Sequence, residues 1–121
     1  MIRIMIADDH AIIRDRIRQI LCFEPDFTVE CEAVSGKEVL ESSRRTELDI
    51  ILLDFYFPDM NALQILPKLR KINKDIPVLI LTSLSEEIFR RKTIQAGASG
   101  FVSKEEASES LVKVIRQLLK R

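Results

Sequence analysis

Ile50-Ile51-Leu52-Leu53-Asp54 is the stretch that decides the fold of this chain. Four branched aliphatic residues in a row, with no polar alternation, describe a strand covered on both faces. An acid stands at its carboxyl end. Three other apolar runs end in the same manner. Met-Ile-Ala at 5–7 leads into Asp8-Asp9, Val78-Leu79-Ile80-Leu81 leads into Thr82, and Gly100-Phe101-Val102 leads, one residue later, into Lys104. If these runs are parallel neighbours, their carboxyl ends converge on one edge, which is where ligands bind in open α/β sheets.

The segments between the runs carry helical periodicity. Ile13, Ile17, Ile20 and Leu21 share one face of a helix over 11–23, and residues 27–34 alternate as a more exposed strand. Ser35-Gly36-Lys37-Glu38 has the form of a capping box and predicts a helix to about Arg45. Ile65, Leu69 and Ile72 mark a helix over 62–72, in which Pro67 predicts a kink because it lacks an N–H. The 86–96 helix has a thin apolar face of Phe89, Thr93 and Ala96. The 105–120 helix is strongly amphipathic through Leu111, Ile115, Leu118 and Leu119. With strands over 2–7, 49–53, 77–82 and 100–102, the chain reads as five βα units. Right-handed crossovers then place helices on both faces of a parallel sheet, in one of two common strand orders.

A length of 121 residues suits one domain, here 1–121. Lysine plus arginine equals aspartate plus glutamate at 19 each, so the chain has no electrostatic footprint for nucleic acid or an anionic membrane. No apolar run approaches the roughly 18 residues of a membrane span. Arg3 interrupts the N-terminal apolar run, which argues against a signal peptide and for a cytoplasmic protein. Cys22 and Cys31 have no metal spacing and are expected as reduced, buried or half-buried thiols.

Asp8, Asp9, Asp54, Thr82 and Lys104 would share one pocket. A single Asp after a strand is usually a helix cap, and a single strand-end threonine or lysine is usually structural. Adjacent acids at a strand end repel each other unless a cation neutralises them. Oxygen ligands of this kind suit Mg²⁺. Asp54 can also act as a nucleophile toward a phosphoryl group, with Lys104 neutralising the charge that develops and Thr82 donating a hydrogen bond. His10 could touch a ligand or relay a phosphoryl group, but is expected as a half-exposed residue at the start of the first helix.

The motifs Ile6-Ala7-Asp8-Asp9-His10, Leu53-Asp54-Phe55-Tyr56-Phe57-Pro58-Asp59-Met60-Asn61, Leu81-Thr82-Ser83 and Gly97-Ala98-Ser99-Gly100-Phe101-Val102-Ser103-Lys104 make the chain resemble the receiver domain of two-component response regulators, most of all the NarL/FixJ type. The resemblance implies a flavodoxin-like (βα)5 fold with strand order 2-1-3-4-5. It makes Asp54 the phosphoacceptor from a sensor histidine kinase. Direct Mg²⁺ ligands are then Asp9, Asp54 and the Tyr56 main-chain carbonyl, with Asp8 acting through water. Thr82 and Phe101 become the switch pair and Lys104 the phosphate partner. Output would be control of transcription through a C-terminal DNA-binding domain. The chain ends directly after its last helix, which favours a domain excised from a longer protein.

Phosphorylation is expected to draw Thr82 toward Asp54 and to let Phe101 rotate, moving the weakly packed 86–96 helix. A homodimer on phosphorylation would use the 11–23 and 105–120 helices, or the 86–120 region. Such a module catalyses its own phosphotransfer and dephosphorylation but is not an enzyme with a turnover substrate. A haloacid dehalogenase-type phosphatase would want an acid where Tyr56 stands. A receiver used only for protein interaction would not need all five pocket residues, and a Rossmann domain would need G-x-G-x-x-G after the first strand. Ala62 replaces a usual glycine and would be strained if its φ were positive. Tyr56 and Leu84 are expected to restrict attacking water and lengthen the phosphorylated lifetime.

Overall fold

The computed structural model describes residues 1–83 and 87–120. Strands and helices alternate throughout: β1 (Ile2–Ala7), α1 (Ala11–Leu21), β2 (Phe27–Ala33), α2 (Gly36–Arg45), β3 (Ile50–Leu53), α3 (Ala62–Ile72), β4 (Val78–Thr82), α4 (Glu87–Ala96), β5 (Gly100–Ser103) and α5 (Ala107–Leu119). The strands form one parallel sheet in the order β2-β1-β3-β4-β5. The open choice between the two doubly wound orders is thereby settled.

Side-chain alternation in β3 shows how the core divides. Ile50 and Leu52 point to one face, where they pack with Ile17 and Leu21 of α1 and with Leu111 and Ile115 of α5. Ile51 and Leu53 point to the other, against Val39 of α2 and Ile65 and Leu69 of α3. All four β3 residues are buried, as a strand with helices on both faces requires. β2 lies at the sheet edge, and its middle residues are only partly buried.

Helix ends are set by local chemistry. The Ser35 side chain accepts the Glu38 N–H at 3.1 Å, but the Glu38 carboxylate reaches one residue beyond the cap to the Val34 N–H. A complete capping box forms instead at α3, where Asn61 and Gln64 exchange side-chain-to-backbone bonds. α3 runs as one helix through Pro67, whose position is exposed. α4 ends in a Schellman motif: Ala98 N–H donates to Thr93 O and Gly97 N–H to Ile94 O. Gly97 takes φ +121°, which L residues rarely adopt.

Two expectations need correction. Ala62 is not strained: among the described residues no non-glycine has positive φ, and Ala62 is a buried first-turn residue whose N–H bonds Phe55 O at 2.7 Å. Cys22 is exposed rather than buried, because α1 ends at Leu21 and the thiol turns back to the Gln19 carbonyl.

Candidate functional site

The sheet itself positions the site. Strand pairing continues one residue past each strand end: Asp8 N–H donates to Ala33 O, Asp54 N–H to Ala7 O, and Lys104 N–H to Thr82 O, at 2.8–3.0 Å. Each side chain therefore leaves the last rung of a ladder on the same edge. Asp8 and Asp54 are buried, and Thr82 is buried at the end of β4. Burying two like charges is unfavourable unless a cation accompanies them. Lys104 Nζ supplies one, 2.9 Å from Asp8 Oδ2 and 3.3 Å from Asp54 Oδ1.

Asp54 Oδ1 also accepts the Phe55 N–H at 2.8 Å. Burial, reinforced by the charge of Asp8, still pushes the Asp54 carboxyl up to about 6 against the opposing pull of Lys104. Burial works against the Lys104 ammonium, but the hydrogen bond it donates to Asp8 and the charges of Asp54 and Asp8 hold its pKa above the usual lysine value. Metal-free, the pocket thus has more negative charge than its single ammonium neutralises.

Asp8, Asp9, His10 and Asp54 offer ligand atoms that all lie within 4.8 Å of one another. Asp9 Oδ1 is a buried atom with no hydrogen-bond partner. A hard oxygen set with an orphaned carboxylate oxygen fits a divalent cation such as Mg²⁺. Another cavity, of about 350 Å³, lies away from this edge among Arg3, Arg44, Thr46, Glu47 and Asn73, where Arg3 already pairs with Glu47 and Asp49.

Phe101 sits one rung inside the edge, paired with Ile80 in the sheet and 9 % exposed. Its outer face is covered by the Arg90 guanidinium, 5.0 Å from the ring centroid. Tyr56 is exposed, makes an isolated bridge to Asn61, and lies edge-on to Phe55. Leu84, its expected companion, falls outside the described residues. α4 buries only Thr93 among its own residues, as its thin apolar face predicted.

Two contributors, Arg14 and Asp59, were missed in the sequence, and the contacts of a third, His10, were weighed as the lesser reading. Arg14 donates to the Asp8 carbonyl at 2.8 Å and to Glu32 at 3.0 Å, pinning the loop that carries the acid pair. Asp59 accepts the first amides of α2, Gly36 N–H at 2.8 Å and Lys37 N–H at 3.0 Å, tying the β3–α3 loop to that helix. His10 is exposed as expected, but its Nδ1 lies 3.0 Å from Asp8 Oδ1 and 3.1 Å from Asp9 Oδ1. An acid after Pro58 signals a turn, but nothing local points to a partner 23 residues away.

Residues 4–116 match the response regulator receiver domain family, and the chain belongs to that family. It is 32% identical over 111 residues to the transcriptional regulatory protein YdfI of Bacillus subtilis, covering 92% of this chain and 52% of that protein. It is 37% identical over 111 residues to a protein-glutamate methylesterase/protein-glutamine glutaminase of Treponema pallidum, covering 90% of this chain and 28% of that one. A LuxR-family two-component response regulator from Aurantimonas superposes with a TM-score of 0.92 at 32% identity, over 97% of this chain and 84% of that structure. The chain spans about half the length of the first curated relatives it matches. Receiver domains of this family bind Mg²⁺ at the acidic pocket and interact with histidine kinases. No described helix is long and apolar enough to cross a membrane.

Proposed function

We propose that residues 1–121 form a receiver whose phosphoacceptor is Asp54, acting in the cytoplasm. The observation that carries this reading is the buried, over-charged carboxylate set of Asp8 and Asp54 around Lys104. An Asp54 oxygen forms the new P–O bond as the P–N bond of a histidine kinase phosphoimidazole breaks, and the leaving imidazole takes up a proton. Asp9, Asp54 and the Tyr56 main-chain carbonyl would hold Mg²⁺, with Asp8 acting through water. When bound, the ion supplies charge neutralisation at the phosphoryl oxygens. Lys104 moves its charge toward the phosphoryl group, and Thr82 donates its hydroxyl to one oxygen.

Thr82 and Phe101 then act as the switch pair. Phosphorylation biases two packings of α4, whose shallow anchoring makes it the element that yields. Output passes to a DNA-binding domain in the larger protein, with a homodimer as an intermediate state. The domain turns over no separate substrate.

The test is incubation with Mg²⁺ and a small phosphodonor or beryllofluoride. A covalent phosphoryl adduct that disappears in Asp54→Asn supports the reading. Steady phosphate release from diverse esters points to a phosphatase, and no adduct at all points to an interaction module.

A further inference from the structure

We propose that Arg14 is a positioning residue for the cation, aimed by Glu32 from the edge strand: it fixes the Asp8–Asp9 peptide and thereby sets the Mg²⁺ affinity of the pocket. The inference rests on the reading of the pocket as a Mg²⁺ site. It adds two residues that reach the pocket only through the backbone.

β2 carries a bulge. Ile4 pairs with Val29 but Met5 pairs with Cys31, so Glu30 has no partner on β1. Side chains alternate along a strand, and one extra residue reverses the alternation beyond it. Before the bulge, Phe27 and Val29 pack on the side of α1 and α5. Beyond it, Cys31 and Ala33 pack on the side of α2 and α3. Glu32, paired with Ile6, is thereby turned toward α1. There its Oε1 accepts Arg14 Nε at 3.0 Å, and its Oε2 accepts Arg18 Nη1 at 3.0 Å.

Arg14 stands in the first turn of α1, where the helix dipole opposes a cation. Its side chain is only 17% exposed. With Nε held by Glu32, the planar guanidinium is oriented, and Nη1 donates to the Asp8 carbonyl at 2.8 Å. That carbonyl belongs to the planar peptide that joins Asp8 to Asp9, so holding it also holds the Asp9 nitrogen and Cα. The peptide before it is held too, because Asp8 N–H donates to Ala33 O at 3.0 Å. β2 thus grips the acid pair through its own backbone and again through Glu32 and Arg14. The clamp leads to Asp9, whose buried Oδ1 has no hydrogen-bond partner. A loop ordered in advance spares the entropy of ordering it when the ion binds.

Charge and position act here in opposite directions. As a cation, Arg14 repels Mg²⁺, so by charge alone its removal strengthens binding. As a positioning residue, its removal weakens binding.

Mg²⁺ affinity of the chain is measured by calorimetry for the wild type, Arg14→Met, Glu32→Ala, the double variant and Asp15→Asn. Arg14→Met keeps an apolar stem and leaves Glu32 its bond to Arg18. It should weaken Mg²⁺ binding about tenfold. Glu32→Ala should weaken it about threefold, and the double variant should match Arg14→Met alone, because the two residues act in series. Asp15→Asn removes an acid from the same helix, where it pairs with Arg18, and should stay within about twofold of the wild type. In EDTA, the Asp9 amide of Arg14→Met should lose order on the nanosecond timescale while the α1 amides keep theirs. A bond that only fastened α1 to β2 would loosen α1 instead. Unchanged or tighter Mg²⁺ binding in Arg14→Met overturns the proposal, as do losses that add in the double variant. If Arg14→Met does not fold, Glu32→Ala decides: an unchanged affinity, or a loss matched by Asp15→Asn, overturns the proposal. No Mg²⁺ binding by the wild type overturns the cation reading itself, whereas Mg²⁺ binding indifferent to Arg14 and Glu32 overturns only the clamp.

Discussion

Asp54→Asn should make the metal-free protein more stable at neutral pH. Folding raises the Asp54 pKa from 3.8 to about 6. At about 1.4 kcal/mol per tenfold change in proton affinity, the ionised carboxylate costs the native state up to about 3 kcal/mol. The sign follows from the direction. A carboxyl whose folded pKa lies above its unfolded value destabilises once both states are ionised, so the penalty is absent below 3.8 and complete above about 6. Asparagine keeps the shape and can still accept the Phe55 N–H, while Lys104 retains Asp8. For a chain of this length each kcal/mol shifts Tm by about 4 °C, so the ceiling is about 12 °C. Thermal unfolding in EDTA across pH tests this: the gain of the variant should vanish as pH falls through the window from about 6 to 3.8. Adding Mg²⁺ should raise the Tm of the wild type and leave Asp54→Asn nearly unmoved. A variant no more stable than the wild type at neutral pH in EDTA refutes the reasoning.

Lys104→Met should cost about 3 kcal/mol in EDTA, because Asp8 and Asp54 lose their shared cation, and should slow phosphorylation by a small donor; an unchanged phosphorylation rate counts against its role. Asp59→Ala frees two α2 amides and should cost about 1 kcal/mol by urea unfolding. The Gly36 N–H is the main cause holding the Asp59 pKa below the usual carboxylate value. That contribution is therefore present above 3.8 and lost as pH falls through the folded value. Arg90→Gln should uncover Phe101 at a cost of about 0.5–1 kcal/mol and speed amide exchange in α4 but not α1. Tyr56→Asn should accelerate loss of the phosphoryl group from Asp54, and an unaltered decay rate removes Tyr56 from that role.

Asn61 and Ala62 show a local signal that was overlooked beside one that was misjudged. Asn61-Ala-Leu-Gln64 carries the capping residues in plain sight, and the helix they start needs no positive φ at Ala62. The concern about Ala62 arose from a family habit rather than from backbone chemistry in this chain. Pro67, where a kink was expected, lies inside an unbroken α3, with Leu66 and Leu69 buried against the core on either side of it. Packing there outweighs one lost backbone bond.

The pocket residues were legible because strand ends are legible: continuous apolar runs mark buried parallel strands, and polar residues mark where burial stops. Alternation of runs and amphipathic segments also determined the five βα units. What only the tertiary structure decided are contacts between segments far apart in the chain. Asp59 holds the start of α2, Arg14 reaches Glu32, and Arg90 covers Phe101. Burial leaves a periodic trace along the chain because neighbouring residues share one environment. A charge or hydrogen-bond partner leaves none, because its identity depends on which elements the sheet order places side by side.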